Sequence, residues 1–184
     1  MNTDNRRTKI PLGIGITLIV CGSLAVTFAL PQIVTAALGV SIMDIFSFNN
    51  TVANKQFTAS KMIQEKQQLT AMLSQTVYLA MSIWALIAGV WLKSYRPHGL
   101  KHALLWAKAA LLYIIFTQTV FFSLTLPETK AIYAELGLPS HSGILIATDI
   151  VGLLFSAALP IVVWILLARK KVEEACAETS PSRG

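Results

Sequence analysis

The chain has 184 residues, of which 54% are hydrophobic and only 13% are charged, and its mean hydropathy is +0.62. This composition leaves too little polar sequence for a large water-soluble domain and is typical of a single membrane domain. The net charge of +6 would suggest nucleic-acid binding in a soluble protein. No aromatic residues alternate with a long basic stripe, so we expect no nucleic-acid partner.

Four long apolar runs organise the chain, at residues 10–30, 69–92, 104–126 and 144–167. Each run has about 20 or more mainly apolar residues, enough to cross a hydrocarbon layer of about 30 Å at about 1.5 Å per residue. We therefore predict an all-α integral membrane protein, an antiparallel bundle of four transmembrane helices forming one domain. The external loops are predicted at residues 31–68 and 127–143, and a cytoplasmic tail at 168–184.

The basic residues predict the orientation in the membrane. Eleven of the fifteen lysines and arginines precede the first run, lie between the second and third runs or at the start of the third, or follow the fourth. The positive-inside rule places these segments, and hence both termini, in the cytoplasm. We expect a multi-pass protein of a bacterial inner (plasma) membrane, with the lipid bilayer as its first partner.

The first run carries small residues on one side, including Gly15 and Gly22, which predict close helix packing. Pro31 predicts an end or a bend of this helix. A helical pattern begins again at about Thr58 and is expected to run directly into the second span.

In the second run, Ala85 and Gly89 form a small-x-x-x-small pair and predict another packing surface. The third run has a polar centre that includes Thr117 and Gln118. We interpret Gln118 mainly as a side chain for hydrogen bonding between helices. Trp106, like Trp91 of the second run and Trp164 of the fourth, lies towards the predicted cytoplasmic end of its run, where an indole ring can reach the lipid headgroups.

The fourth run carries a stripe of small and polar residues at helical spacing, comprising Asp149, Gly152, Ser156 and Pro160. Gly152 predicts helix packing, and Pro160 predicts a kink near the middle of the membrane. Asp149 is the only carboxylate inside a run, and two interpretations stay open for it. It handles a proton or ion or contacts a partner, or it reaches interfacial water at the start of its helix. The last twelve or so residues are predicted to be a disordered tail.

The residues that usually carry chemistry form no recognisable site. The three histidines lie in or beside loops, and the two cysteines are far apart in the predicted topology. No cluster has metal-ligand spacing, and no nucleophile or phosphate-binding motif is present. We therefore predict no catalytic residue, no cofactor and no metal.

Residues 127–139 predict a short amphipathic external helix between the third and fourth spans. Ile132 and Leu136 lie one turn apart, Gly137 suits the position just after the helix, and Pro139 prevents its continuation.

This segment and its flanking runs, about residues 112–160, resemble the inner-membrane platform proteins of type II secretion and type IV pilus systems. The residues that carry the resemblance are Pro127, Ile132, Tyr133, Gly137, Leu138, Pro139 and Ser142. The gap between Gly137 and Pro139 is shorter than is usual in that family, and the large cytoplasmic helical domains are absent from this sequence. The resemblance implies a role inside a membrane-embedded secretion or pilus machine.

Several hypotheses about function follow. The leading one is a non-enzymatic protein that acts through helix–helix contacts with other membrane proteins or with a second copy, for example as an accessory subunit. A second is immunity against a pore-forming toxin, since immunity proteins for colicin A-like toxins have a similar length, span number and orientation. A third is a small transporter or channel whose path is lined by Asp149, Gln118 and Ser156. An enzyme acting on lipids comes last.

Overall fold

The computed structural model describes residues 9–38, 51–139 and 142–177, and the regular structure within these ranges is entirely helical. This confirms the all-α prediction for the described residues. The elements in chain order are α1 (Ile10–Leu38), α2 (Thr51–Lys93), α3 (Pro97–Val120), a π-helical segment (Phe121–Thr125), α4 (Leu126–Glu135), α5 (Ser142–Leu167) and α6 (Lys170–Ala177).

Four helical stretches are long and apolar enough to cross a membrane, as the four apolar runs predicted. They are Ile10–Val34, Lys55–Lys93, His98–Glu135 and Gly143–Leu167. The second and third stretches have 39 and 38 residues, more than the 20 or so that one crossing needs. At about 1.5 Å per residue, these two helices extend well past a hydrocarbon layer of about 30 Å.

Much of the segment predicted as the first external loop is helical. α1 continues through Pro31 to Leu38, so Pro31 does not end this helix, and the bend that was the other expectation for it stays a prediction. A proline removes only one backbone donor, and the turns on both sides of it keep their own hydrogen bonds. The helix predicted from about Thr58 is confirmed and begins earlier, at Thr51. Residues 39–50 lie outside the described residues.

The predicted helix within residues 127–139 is present, but it continues α3 without a break. A π-helical segment, Phe121–Thr125, joins the two, and the Leu126 N–H donates to the carbonyl of Phe121. In an α-helix the ring of Pro127 would press on the carbonyl of Ser123, and the wider π turn relieves this clash.

The end of α4 agrees with the sequence pattern. Gly137 has a φ of 64°, in the left-handed region. Its N–H donates to the carbonyl of Ala134 at 3.1 Å, and that of Leu138 donates to Tyr133 at 2.9 Å. This is a Schellman motif, so the prediction that Gly137 follows the helix is confirmed.

The hydrophobic core lies at one end of the molecule. It joins the N-terminal halves of α1 and α3, the C-terminal halves of α2 and α5, and α6. Its members are Ile14, Leu18, Ala85, Ala88, Leu92, Leu100, Ala103, Trp106, Ala107, Ala110, Val163, Leu167, Val172 and Cys176. We call this the core end. The opposite halves of α1, α2, α3 and α5, with the π-helical segment and α4, form the far end.

The helices differ in how extensively they pack against one another. α1 packs mainly on α2, and α3 lies between α2 and α5. α1 and α5 touch only sparsely, so a seam separates them.

α6 corrects the prediction of a disordered tail. Residues 170–177 form a helix in which Val172 and Cys176, one turn apart, are fully buried in the core. Glu173 and Glu174 of the same helix are exposed. The amphipathic pattern is only eight residues long, which is too short for a stable helix without the packing against α3 and α5. Residues 178–184 lie outside the described residues.

Candidate functional site

The backbones of α1 and α2 meet at glycines. A Cβ atom added to Gly15 would lie 2.8 Å from the carbonyl oxygen of Gly89 and 2.7 Å from the backbone nitrogen of Lys93. One added to Gly89 would lie 2.8 Å from the carbonyl oxygen of Gly15. Further along, a Cβ on Gly22 would lie 2.9 Å from Cγ of Leu86. Only glycine permits these approaches, because distances below about 3 Å are steric clashes.

The other two residues predicted to pack between helices have different surroundings. Ala85 is buried in the core. Gly152 is exposed on α5, and a Cβ added there would meet nothing within 4 Å. Its role in packing therefore stays a prediction, and α5 offers an open surface at this point.

A cavity of about 420 Å³, which we call the central cavity, lies between α1, α2, α3 and α5. Most of its lining is apolar and includes Leu18, Ala110, Leu159 and Pro160. Seven polar side chains also line it: Cys21, Tyr78, Ser82, Trp106, Tyr113, Thr117 and Ser156. Its size and position between bundled helices are typical of a site for a small ligand. The kink predicted at Pro160 stays a prediction, since α5 runs through that residue as one helix.

The serine and threonine hydroxyls that line this cavity donate hydrogen bonds within their own helices. Ser82 donates to the carbonyl of Tyr78 at 2.7 Å, and Thr117 donates to that of Ile114 at 2.9 Å. Ser156, which is exposed, donates to Leu153 at 3.1 Å. Because these donors are already used, the cavity offers an occupant mainly apolar surface.

Two aromatic side chains of α3 donate to backbone carbonyls of α2. Trp106 Nε1 donates to Met81 at 2.9 Å, and the Tyr113 hydroxyl donates to Ser74 at 2.8 Å. Trp106 is buried, so the prediction that its ring reaches the headgroups is wrong. The sequence analysis predicted neither bond. The available signal is that Trp106, Ala110, Tyr113 and Thr117 lie on one face of the helix, which indicates a common packing surface.

A second cavity, of about 410 Å³, lies at the far end between α2, α3 and the π-helical segment. Tyr113 and Thr117 line both cavities, so the two spaces are neighbours. Gln67 of α2 donates to the carbonyl of Thr125 at 3.5 Å, which is a long contact. π-helical turns frequently mark functional positions in helices.

Two buried polar atoms at the far end have no hydrogen-bond partner among the described residues: Oε1 of Gln118 and Oδ2 of Asp149. Gln118 lies in the C-terminal half of α3, and Asp149 lies in the N-terminal half of α5, which packs against α3. Both side chains are partly buried, and neither lines the two cavities. A buried acceptor without a donor costs about 1–3 kcal/mol, so each of these atoms requires an explanation.

The titratable groups give no sign of a metal site. Within residues 9–38, 51–139 and 142–177, no three His, Cys, Asp or Glu side chains are grouped so that they could hold a metal ion. His102 packs edge-on against Trp91, with ring centroids 5.0 Å apart. Burial raises the pKa of the Cys176 thiol above its ordinary value, so this cysteine behaves as a small apolar residue.

Comparison with known proteins does not assign the chain to a class. No protein-family model, no characterised protein and no solved structure matches it.

Proposed function

We propose that this chain is an integral protein of a bacterial inner membrane, folded as an antiparallel bundle of four transmembrane helices. Four apolar helical stretches of sufficient length support the placement in lipid. The core supports the antiparallel arrangement, because it joins the N-terminal halves of α1 and α3 to the C-terminal halves of α2 and α5. The distribution of lysine and arginine supports cytoplasmic termini, and hence a cytoplasmic core end.

Within this membrane, the protein acts without catalysis by binding a transmembrane helix of a partner at the far end. The observation that carries this function is the pair of unpaired buried acceptors, Gln118 Oε1 and Asp149 Oδ2. Apolar surface alone would not support it, because lipid covers apolar side chains as well as a protein partner does.

The chemistry of the pair defines what the partner must supply. Both unpaired atoms accept hydrogen bonds, so the partner helix must carry donors at the matching depth. Gly152 lies one turn after Asp149 on α5 and is exposed, with nothing within 4 Å of an added Cβ. A small residue at this position lets the backbone of a second helix approach α5 closely beside Asp149.

Photo-crosslinking in native membranes tests this function. A photoreactive residue placed at Gly152 is expected to give a discrete adduct, whose mass shows whether the partner is a second copy or another protein. The matched control is the same residue at Leu154, which is also exposed on α5 but points about 200° away from Gly152. We expect little adduct from Leu154.

The substitution Asp149→Leu should abolish the adduct at Gly152, because it removes an acceptor that the partner satisfies. An absent adduct at Gly152, equal adducts at Gly152 and Leu154, or an adduct that survives the loss of Asp149 would each contradict the proposed function.

The other hypotheses differ in what supports them. The role in a secretion or pilus platform and the role in toxin immunity remain hypotheses based on resemblance. Transport has some support, because Thr117 and Ser156 line the central cavity, although Gln118 and Asp149 do not. If flux through reconstituted protein were unchanged by Asp149→Asn, Asp149 would have no part in such transport.

A further inference from the structure

The seam between α1 and α5 contains a groove at the core end, separate from the far-end site. It is a cavity of about 320 Å³ that begins at Ile10 and Leu166. Leu159 lines both this groove and the central cavity, so the groove leads from the core end to the middle of the bundle. Because α1 and α5 touch only sparsely, the groove opens sideways along its length.

The lining of the groove is apolar. Its residues are Ile10, Gly13, Ile14, Thr17, Leu159, Val162, Val163 and Leu166. The one hydroxyl among them, on Thr17, donates to the carbonyl of Gly13 at 3.0 Å and so leaves no free donor. Gly13 keeps the groove wide, since a Cβ added there would meet nothing within 4 Å. The chemistry fits a hydrocarbon chain.

Basic residues mark the end of the groove. Lys9 directly precedes Ile10, and Arg169 and Lys170 follow Leu166 by three and four residues. All three side chains are exposed. A negatively charged group held there would be adjacent to a hydrocarbon chain lying in the groove. Each Lys or Arg near a membrane surface attracts anionic lipid by about 1 kcal/mol, or about fivefold in affinity.

We infer that the seam binds one anionic phospholipid of the cytoplasmic leaflet, with an acyl chain between α1 and α5 and its phosphate beside Lys9, Arg169 and Lys170. The inference rests on the proposed membrane placement but not on the proposed partner. It adds to that function a lipid that fills the space where α1 and α5 are not packed.

Native mass spectrometry of the purified full chain tests the inference, with dioleoyl phosphatidylglycerol and dioleoyl phosphatidylcholine as probes. We expect phosphatidylglycerol to bind at least tenfold more tightly. Gly13→Leu and Thr17→Phe each fill the groove and should weaken binding at least tenfold. Removal of one basic charge should weaken phosphatidylglycerol binding about fivefold in each of three variants, Lys9→Gln, Arg169→Gln and Lys170→Gln.

Two control variants separate a built site from general surface attraction. Gly152→Leu adds the same bulk on an open surface of α5, and Lys101→Gln removes an exposed charge near the start of α3. Both control variants should bind phosphatidylglycerol with an affinity within about twofold of that of the unsubstituted chain. Equal binding of the two lipids, or phosphatidylglycerol binding that both groove-filling variants leave unchanged, would overturn the inference. Crosslinking at Gly152 should be unaffected by Gly13→Leu, so failure of the lipid site and failure of the partner site are distinguishable.

Discussion

The core end and the far end of this bundle are built from the same four helices, but the two ends differ in how closely these helices pack against one another. At the core end, glycine backbones of α1 and α2 touch, and α6 adds Val172 and Cys176 to a continuous buried cluster. At the far end, a cavity separates α2 from α3, and Gln118 and Asp149 each keep a buried acceptor without a partner among the described residues.

In the proposed membrane placement, this difference separates a packing role at one end of the bundle from a binding role at the other. Tight packing of small residues stabilises helices in lipid, where the hydrophobic effect gives no drive for association between them. Unpaired polar atoms and open surface cost stability, and such costs concentrate where a protein binds something else. The packing at the core end therefore holds the helices together, and the proposed partner site lies at the far end.

The largest effect is expected for Gly15→Leu at the core end. The new side chain would meet the backbone of Gly89 and Lys93, which cannot move aside, so α1 and α2 must separate. We expect a loss of about 3 kcal/mol in the free energy of unfolding, measured by SDS titration in dodecyl maltoside micelles. Gly13→Leu, two residues earlier but in open space, should change it by less than about 0.5 kcal/mol. Equal losses in the two variants would show that the close approach of α1 and α2 at Gly15 does not stabilise the core end.

At the far end, substitution of the unpaired polar residues should stabilise the isolated chain. Asp149→Leu and Gln118→Leu each remove a buried acceptor that has no donor, and each should raise the free energy of unfolding by about 1–3 kcal/mol in the same titration. Thr117→Val serves as the control, since the Thr117 hydroxyl is already bonded to Ile114 and its loss should bring no gain. Destabilisation by both leucine variants would show that these side chains already have their partners within the chain.

A smaller effect on stability is expected from substitutions in two turns, one at each end of the bundle. Tyr95 follows α2 with a φ of 54°, a left-handed conformation that costs a non-glycine residue about 1–2 kcal/mol. Tyr95→Gly removes this backbone strain, so it should be about 1 kcal/mol more stable than Tyr95→Ala, which loses the same side chain and keeps the strain. Gly137→Ala should destabilise the chain by a similar amount, because its φ is 64° and nothing else obstructs the new methyl group. Thermal unfolding in detergent measures all three variants. A Tyr95→Gly variant no more stable than Tyr95→Ala, or a Gly137→Ala variant as stable as the unsubstituted chain, would contradict this explanation.

The smallest effect concerns Cys176 and pH. Burial raises the pKa of this thiol above its ordinary value, so the folded chain keeps the proton at a pH at which the unfolded chain has lost it. Stability should be unaffected by this group below about pH 9 and should fall as the pH rises further. At pH 8, alkylation of Cys176 in a Cys21→Ala variant should be at least tenfold slower in the folded chain than in SDS-unfolded chain. Equal rates would show that α6 does not bury the thiol.

The sequence is sufficient to predict the four apolar helical stretches, because a run of about 20 apolar residues has few alternatives to a helix. It also predicts the end of α4, since Gly137 followed by Pro139 is a local signal. The continuity of α1 through Pro31 is not predictable in this way, because one lost hydrogen bond does not decide whether a helix ends.

Predictions about the candidate site are less complete for a physical reason. The polar residues Gln118, Asp149, Thr117 and Ser156 are visible in the sequence as exceptions within apolar runs. Which of them line a cavity depends on the rotation and register of neighbouring helices, and these are set by contacts such as that of Gly15 with Gly89. The hydrogen bond from Tyr113 to Ser74 and the burial of α6 depend on the same tertiary contacts.

The central claim, a rigid core end and an open far end, is tested most directly by distances between spin labels in reconstituted bilayers. One label pair joins α3 to α5 at the core end, at Leu105 and Ile165. The other pair joins the π-helical segment to α5 at the far end, at Phe122 and Leu145. All four side chains are exposed, and Cys21 and Cys176 are first replaced by alanine. We expect a narrow distance distribution at the core end and a clearly broader one at the far end. Equal widths, or a broader distribution at the core end, would contradict it.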